Sequence, residues 1–238
     1  MFHNNQFTRR GLLKTAGGIA LASGISAPAI LRAQTADVIR IGHLTPRTGF
    51  LGPLGEYAVM AIDLAVEEIN ASGGMMGRKV ELLKEDSVNP QTASTKAERM
   101  IERDKVACII GEISSASCLT IAQVASRNKT LFINTGGNSD ALRGKDCQRY
   151  MFHVESQNSM YVKTVGRSFL RDGLVKGKKW YSLTADYAFG HDLLKVSKRF
   201  MEANGGNFAG EETAAQRGRV REDESRCRTM VISRAAAC

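Results

Sequence analysis

The chain of 238 residues has five cysteines, Cys108, Cys118, Cys147, Cys227 and Cys238, and no Cys-x-x-Cys among them. That excludes a thiol redox motif and a zinc knuckle. No Gly-x-x-x-x-Gly-Lys-Ser/Thr occurs and no Gly-x-Gly-x-x-Gly follows the first β-branched run, so nucleotide binding lacks its phosphate cradle. A Gly-x-Ser-x-Gly elbow is missing as well. His43, His153 and His191 show no His-Glu-x-x-His spacing, and isolated histidines far more often pack or face solvent than bind a metal. Glu85 and Asp86 are adjacent carboxylates, yet neighbours on a strand point to opposite faces. Neither a catalytic constellation nor a cofactor or metal is therefore expected. Nor does the formal charge of +9 point to nucleic acid: residues 1–37, 38–213 and 214–238 each carry net +3, so two thirds of the excess lies outside the body. The body lacks a basic stripe interleaved with aromatics.

What is present begins with Thr8-Arg9-Arg10-Gly11-Leu12-Leu13-Lys14, which reads as a twin-arginine export signal. The weakly apolar stretch 16–30 behind it is too short and too rich in Gly and Ala to anchor in a bilayer. A basic terminus ahead of an ordinary buried helix is the bland alternative. It is disfavoured because the paired arginines, the Leu-Leu-Lys and the apolar run fall in register. Two cleavage points compete, Ala27-Pro28-Ala29 and the bond after Ala33; the second stands just before the first strand and is favoured, giving a signal peptide over 1–33. No cysteine follows the leader at lipobox spacing, which argues against a lipid anchor. The expected location is the periplasm after cleavage, with the twin-arginine machinery as a transient partner. In that oxidising compartment Cys118 and Cys147 have the choice of pairing or remaining free thiols.

The body, 43% hydrophobic and 24% charged over the whole chain, has the composition of a folded domain. Residues 38–44 form a β-branched run. Leu54, Tyr57, Ala58, Ala61, Ile62, Ala65, Val66 and Ile69 then recur at three- and four-residue steps, with Glu56, Asp63, Glu67, Glu68 and Asn70 opposite, and Gly73-Gly74 ends that helix. Residues 79–85 alternate as a strand. Asn89-Pro90 opens a second helix whose buried stripe is Ala93, Ala97, Met100 and Ile101. The pattern predicts strands over 106–110, 131–134 and 180–184, and helices over 119–125, 160–170 and 193–201. Strands separated by helices imply parallel pairing, hence an α/β fold whose ligands sit beyond the carboxyl ends of the strands. The loops to inspect are 45–53, 111–117, 135–142 and 185–190.

Gly111-Glu112-Ile113-Ser114-Ser115-Ala116-Ser117 leads from a strand into a helix, where backbone N–H groups and serine hydroxyls can converge on an anion at the positive end of the helix dipole. The competing reading is that the serines merely cap the helix. Thr135-Gly136-Gly137-Asn138-Ser139-Asp140 lets a ligand approach the backbone, or is an ordinary glycine-rich turn.

The chain resembles the substrate-binding proteins of ABC importers for branched-chain amino acids and related ligands. The resemblance is carried by Pro46-Arg47-Thr48-Gly49, by Glu67-Glu68-Ile69-Asn70-Ala71 running to Gly73-Gly74, and by Gly77-Arg78-Lys79-Val80-Glu81. Ile110-Gly111 with Ser114-Ser115-Ala116, and Trp180-Tyr181 leading to Thr184-Ala185-Asp186-Tyr187-Ala188-Phe189-Gly190, add to it. It covers residues 38 to about 212. It implies a type I periplasmic-binding-protein-like fold: two doubly wound parallel-sheet lobes closing on a ligand by hinge motion, the second lobe incomplete here. The implied division is an N-terminal lobe over 38–152, the start of a second lobe over 153–213 and an aberrant or disordered basic tail over 214–238. It also implies a binder rather than an enzyme, with an amino acid or related carboxylate as ligand and a membrane permease as partner. Ser114 and Ser115 would face the ligand carboxylate, Ser115 bonding it directly. Gly136, Gly137 and Asn138 would meet the head group, and Tyr187 and Phe189 would cover the ligand. Family members often carry Tyr where Phe189 stands; the missing hydroxyl suggests an apolar or aromatic ligand.

After Thr213 the pattern departs from the family. Residues 214–238 hold six arginines and no lysine, which reads as a frameshifted or truncated end, or else as a disordered basic arm. With a second lobe of at most two helices and two strands, ligand binding that is weak or absent and exposed apolar stripes on the helices 160–170 and 193–201 are expected. A ligand-sensing domain on the same fold and an exported enzyme are the other readings; no helix-turn-helix or membrane span speaks for the first, and no nucleophile and base for the second. Replacing Arg9 and Arg10 by Lys should leave unprocessed precursor in the cytoplasm, as read by fractionation and immunoblotting. Undiminished processed protein in the periplasmic fraction would rule out the twin-arginine assignment.

Overall fold

The computed structural model describes residues 38–214. The export signal read over 1–33 and the basic tail beyond Ala214 lie outside the described residues. The chain runs β1 (Ile39–Thr45), α1 (Gly52–Ala71), β2 (Val80–Asp86), α2 (Pro90–Glu102), β3 (Cys108–Gly111), α3 (Ser115–Arg127) and β4 (Leu131–Asn134). A 3-10 turn (Asp140–Leu142), β5 (Met151–His153), α4 (Asn158–Arg171), β6 (Lys179–Ala185), α5 (Ala188–Ala203) and β7 (Asn207–Ala214) follow. Every ladder is parallel. Five strands form one sheet in the order β2-β1-β3-β4-β5, and β6 and β7 form a second. The α/β class with parallel sheets agrees with the sequence pattern.

The first sheet is built on alternation. Leu44, Ile109, Phe132 and Met151 turn to the face covered by α2 and α3, where they pack with Met100, Ile101, Ile121 and Val124 in one buried cluster. α2 follows its sequence signals closely: the Asn89 side chain accepts from Thr92 N at 2.9 Å, and Ala93, Ala97, Met100 and Ile101 are its buried residues. α1 lies against β1 and β2 from the other side. There the Asn70 carboxamide brackets Val80 with bonds of 2.9 and 2.8 Å, and Lys84 pairs with Asp63 at 2.8 Å.

Three helices differ from the expectation. In α1 the sheet-facing line is Gly55, Val59, Ile62, Val66 and Ile69, whereas Leu54 and Tyr57 are 55% and 69% exposed and Leu64 is exposed with them. The apolar positions thus make two stripes rather than one, and Asn70, expected on the polar side, reaches the sheet. α3 starts at Ser115 instead of 119 because Ser115, Ser117 and Cys118 are small enough to be buried against the sheet. Burial there overrides the modest helix propensity of serine. α5 starts at Ala188 instead of 193, and its Gly190 passes so near Ala185 that a Cβ would run into that residue's carbonyl. Beyond these, β5, the 3-10 turn and β7 are elements without a clear periodic signal.

Of the two helices expected to expose apolar stripes, α4 does so through Met160, Tyr161 and Val165. α5 does not, since Leu193, Leu194 and Val196 are half-buried and Met201 is buried. Cys108, Cys118 and Cys147 are free thiols: Cys118 is buried and Cys147 is exposed, so the 118–147 pairing does not form. Among the described residues no helix is long and apolar enough to cross a membrane, and no cluster of three His, Cys, Asp or Glu side chains is placed to hold a metal ion.

The start of α1 is held by a close backbone approach, since a Cβ on Gly55 would collide with the Pro46 carbonyl. Gly55→Ala should cost about 1–3 kcal/mol through forced displacement of α1 or the loop before it, measured as a lower denaturation midpoint at unchanged slope. An unchanged midpoint would mean that this contact relaxes freely.

Candidate functional site

The strand order reverses between β1 and β3, so the loops after β1, β3 and β4 rise side by side at the carboxyl edge of the sheet, where open α/β sheets hold ligands. Asp86 shapes the first of them. It accepts from Arg47 N at 2.9 Å, Thr48 Oγ1 at 2.6 Å and Val88 N at 3.0 Å. Burial pushes its pKa up, but these bonds outweigh that and hold it below the ordinary carboxylate value. Glu85 points the other way, to Lys96 at 3.2 Å and to Arg99. The adjacent carboxylates therefore serve two structural purposes and form no acid–base pair.

The loop after β3 carries Glu112, a residue that pattern reading passed over. It is 0% exposed and has φ of 70°, a conformation unusual for a residue with a Cβ. Its Oε1 accepts from Ile113 N at 3.0 Å and Ser114 N at 2.9 Å, while Oε2 is buried with no hydrogen-bond partner among the described residues. The Ser87 hydroxyl favours the charged form from nearby without a bond of good geometry to Oε2. Burial dominates and raises the Glu112 carboxyl to about 7, against the pull of the Ser114 amide, the Ser87 hydroxyl and the Ile113 amide.

α3 begins immediately beyond. Ser114 is its N-cap but makes no side-chain cap bond, and the amides of Ser115, Ala116 and Ser117 have no carbonyl one turn earlier to donate to. The end of α3 thus presents backbone donors and a free Ser114 hydroxyl. Ser115 does something else. Fully buried, its Oγ accepts from Asn138 N and Ser139 N, both at 3.1 Å, which occupies both lone pairs and leaves the hydroxyl proton as its remaining hydrogen-bonding capacity.

The glycine loop after β4 is likewise held from within. Asn134 Oδ1 accepts from Gly136 N at 3.1 Å, Gly137 N at 2.8 Å and Cys118 Sγ at 3.2 Å, and its Nδ2 donates to Gly137 O at 2.9 Å. The Gly136 and Gly137 amides are consequently turned inward. Gly137 has no room for a side chain because a Cβ would run into Cys118 Sγ. Asn138 Nδ2 donates to Ser156 O at 2.7 Å, tying the loop to the segment that leaves β5.

That segment leads to the second sheet. Asn138 O accepts from Asn158 N at 2.8 Å, and Asn158 Nδ2 donates to Phe189 O at 3.1 Å and Asp192 Oδ2 at 2.8 Å. Asp192 Oδ2 also accepts from Asp140 N at 2.7 Å. The rings of Tyr187 and Phe189 lie 5.9 Å apart, tilted by 34°, and both residues are half-buried. Burial raises the Tyr187 hydroxyl pKa. Ser115, Asn138 and Phe189 are therefore linked through one continuous network, with Ser114, Gly136, Gly137 and Tyr187 immediately beside it.

A profile of the periplasmic binding protein family matches residues 38–219. The chain belongs to that family. The Leu/Ile/Val-binding protein homolog 8 of Brucella abortus (strain 2308) is 35% identical over 145 residues, covering 61% of this chain and 34% of the relative. Homolog 7 of Brucella suis biovar 1 (strain 1330) is 36% identical over 177 residues, covering 71% and 44%. Among solved structures, a periplasmic binding protein from Burkholderia mallei superposes with a TM-score of 0.72 at 30% identity, covering 79% of this chain and 49% of the other. The chain thus spans between a third and a half of the length of these periplasmic binding proteins.

Sequence reasoning missed Asn134, Asn158, Asp192 and Glu112. An asparagine closing a strand ahead of Gly-Gly is a recognisable turn signal for Asn134; nothing local marks Asp192, whose partners lie 34 and 52 residues away. Ser115→Ala should lower stability by about 1–3 kcal/mol, the cost of leaving the Asn138 and Ser139 amides without an acceptor. Chemical denaturation measures it, and an unchanged stability would show that these amides find another partner.

Proposed function

We propose that this chain is the ligand-capturing part of a periplasmic solute receptor that hands a small carboxylate ligand to the permease of an ABC importer. The observation that carries the reading is the unpaired start of α3, with donors and no acceptor demand, tied through Ser115, Asn138 and Asn158 to a half-buried aromatic pair at the start of α5. A carboxylate is stabilised by the free first-turn amides and the Ser114 hydroxyl through charge-assisted hydrogen bonds and the helix dipole. Ser115 contributes its remaining proton, Gly136 its carbonyl, and Gly137 and Asn138 the shape of the loop. Tyr187 and Phe189 give the ligand an apolar cover, which favours a branched-chain or aromatic side chain over a polar one.

On this reading the residues 38–152 and 153–213 act as two lobes, and closure brings the aromatic pair toward α3. The names of the two Brucella relatives support a branched-chain amino acid, and Phe189 in place of a tyrosine supports an apolar or aromatic carboxylate more broadly. The same reading puts the working protein in the periplasm, reached after removal of 1–33.

The full chain should be screened by thermal shift and calorimetry against L-leucine, L-isoleucine, L-valine, L-phenylalanine, benzoate and 4-hydroxybenzoate. At least one should raise the unfolding midpoint in a concentration-dependent way. Ala in place of Phe189 should weaken that ligand by about 1–3 kcal/mol, the value of one buried aromatic contact. A full chain that unfolds cooperatively and ignores the whole panel would overturn the carboxylate-receptor reading.

A further inference from the structure

The start of α3 already holds one carboxylate of its own. Glu112 Oε1 occupies the amides of Ile113 and Ser114, two residues and one residue before the helix, and the ligand proposed above would bring a second carboxylate to the next amides along. Two carboxylates at one helix end compete for the same positive potential and repel one another. We propose that the site takes its carboxylate ligand together with a proton, which Glu112 accepts as the ligand binds. This rests on the reading of the site as a carboxylate receptor and extends it to a coupling that the receptor reading does not require.

The surroundings of Glu112 favour this role. Its side chain is fully buried, so water cannot screen the two charges from each other, and Oε2 has no hydrogen bond of good geometry among the described residues, the nearby Ser87 hydroxyl only partly offsetting the cost of burial. From the end of β2, Asp86 adds like charge and Ser87 a neutral hydroxyl; from α3, Cys118 is a buried neutral thiol whose own pKa is pushed well up. From β1, His43 lies beside Gly111 with its Nδ1 bonded to Ile110 O, and burial lowers its pKa, so it adds no proton near neutrality. The Lys96 ammonium of α2 is taken up by the Asp86 carbonyl at 2.7 Å and by Glu85. No cation among the described residues bonds to Glu112. From the glycine loop, Gly136 packs near enough to the Glu112 carbonyl that a Cβ would come to 2.9 Å of it, which fixes the position of Glu112 relative to the ligand loop.

The direction of the effect follows from linkage. With the free carboxyl titrating at about 7, Glu112 is already neutral below that pH and binding needs no proton. Above it, each binding event must draw a proton from solvent, so affinity falls, approaching ~tenfold per pH unit until the pKa of the complex is reached.

Calorimetric titration of the full chain with benzoate and with L-leucine, between about pH 5.5 and about pH 8.5 in phosphate and in Tris, reads both affinity and protons taken up. The coupling predicts constant affinity at the acid end, a decline above neutrality and uptake approaching one proton per ligand at the alkaline end. Glu112→Gln should flatten the affinity profile and abolish the uptake. Wild-type binding that is independent of pH and buffer would overturn the coupling and leave the receptor reading intact, as would a pH dependence that persists in Glu112→Gln. Failure of both probes, and of the other four ligands of the panel, to bind at every pH would overturn the carboxylate reading and the coupling with it. Because proton uptake is measured on the unaltered protein, the result does not depend on the variant folding.

Discussion

Parallel pairing is the constraint on which everything else in this chain depends. Parallel strands cannot be joined by tight turns, so each strand of the first sheet must be followed by a crossover, and every strand ends at the same edge. The order β2-β1-β3-β4-β5 then puts the loops after β3 and β4 next to each other, with Gly111 opposite Asn134 at the last paired position. From that one register follow the contact of Ser115 with Asn138, the approach of Gly136 to Glu112 and the packing of Cys118 under Gly137.

The candidate site illustrates how a loop cluster divides its donors between itself and a ligand. Asn134 takes up the glycine amides, Ser115 braces Asn138 and Ser139, and Glu112 accepts from two amides before the helix. Once those are satisfied, the unpaired donors are concentrated in the first turn of α3. Such preorganisation lowers the cost of binding, because the loop does not have to be ordered by the ligand. The two acids at this edge respond oppositely to their surroundings: at the half-buried Asp86 three hydrogen bonds outweigh burial and keep the pKa below its ordinary value, whereas burial raises that of Glu112. Asp86 is accordingly a fixed charge that anchors the loop after β1, and Glu112 is the group free to change its proton content near neutrality.

Among the described residues, polar contacts tie the two sheets together. Asn138, Asn158 and Asp192 link the glycine loop, the start of α4 and the start of α5. A few directional bonds of this kind fix relative orientation while adding little to cohesion, since the net gain per bond is about 1 kcal/mol. That is what a junction requires if the two sides are to move relative to one another.

The sequence by itself determined the alternation of strands and helices, the parallel α/β class, the capped start of α2 with its four buried residues, and the run of β4. These are readable because they rest on local periodicity and on short-range capping, both of which repeat within one or two turns of chain. It also marked the loops in which the candidate site lies, through serine and glycine at strand ends. What only the tertiary structure decided were the face that α1 buries, the early starts of α3 and α5, and the state of Cys118 and Cys147. The roles within the site belong to the same group: that Ser115 and Asn138 are spent partly on bracing, and that Glu112 and Asp192 matter at all. Ser115 depends on residues 23 and 24 positions off and Asp192 on one 52 positions off, while Glu112 bonds only the next two residues and owes its role to burial by the fold. Hydrogen bonds over such separations exist only after the sheet has set the loops side by side, and no local pattern of residues encodes them.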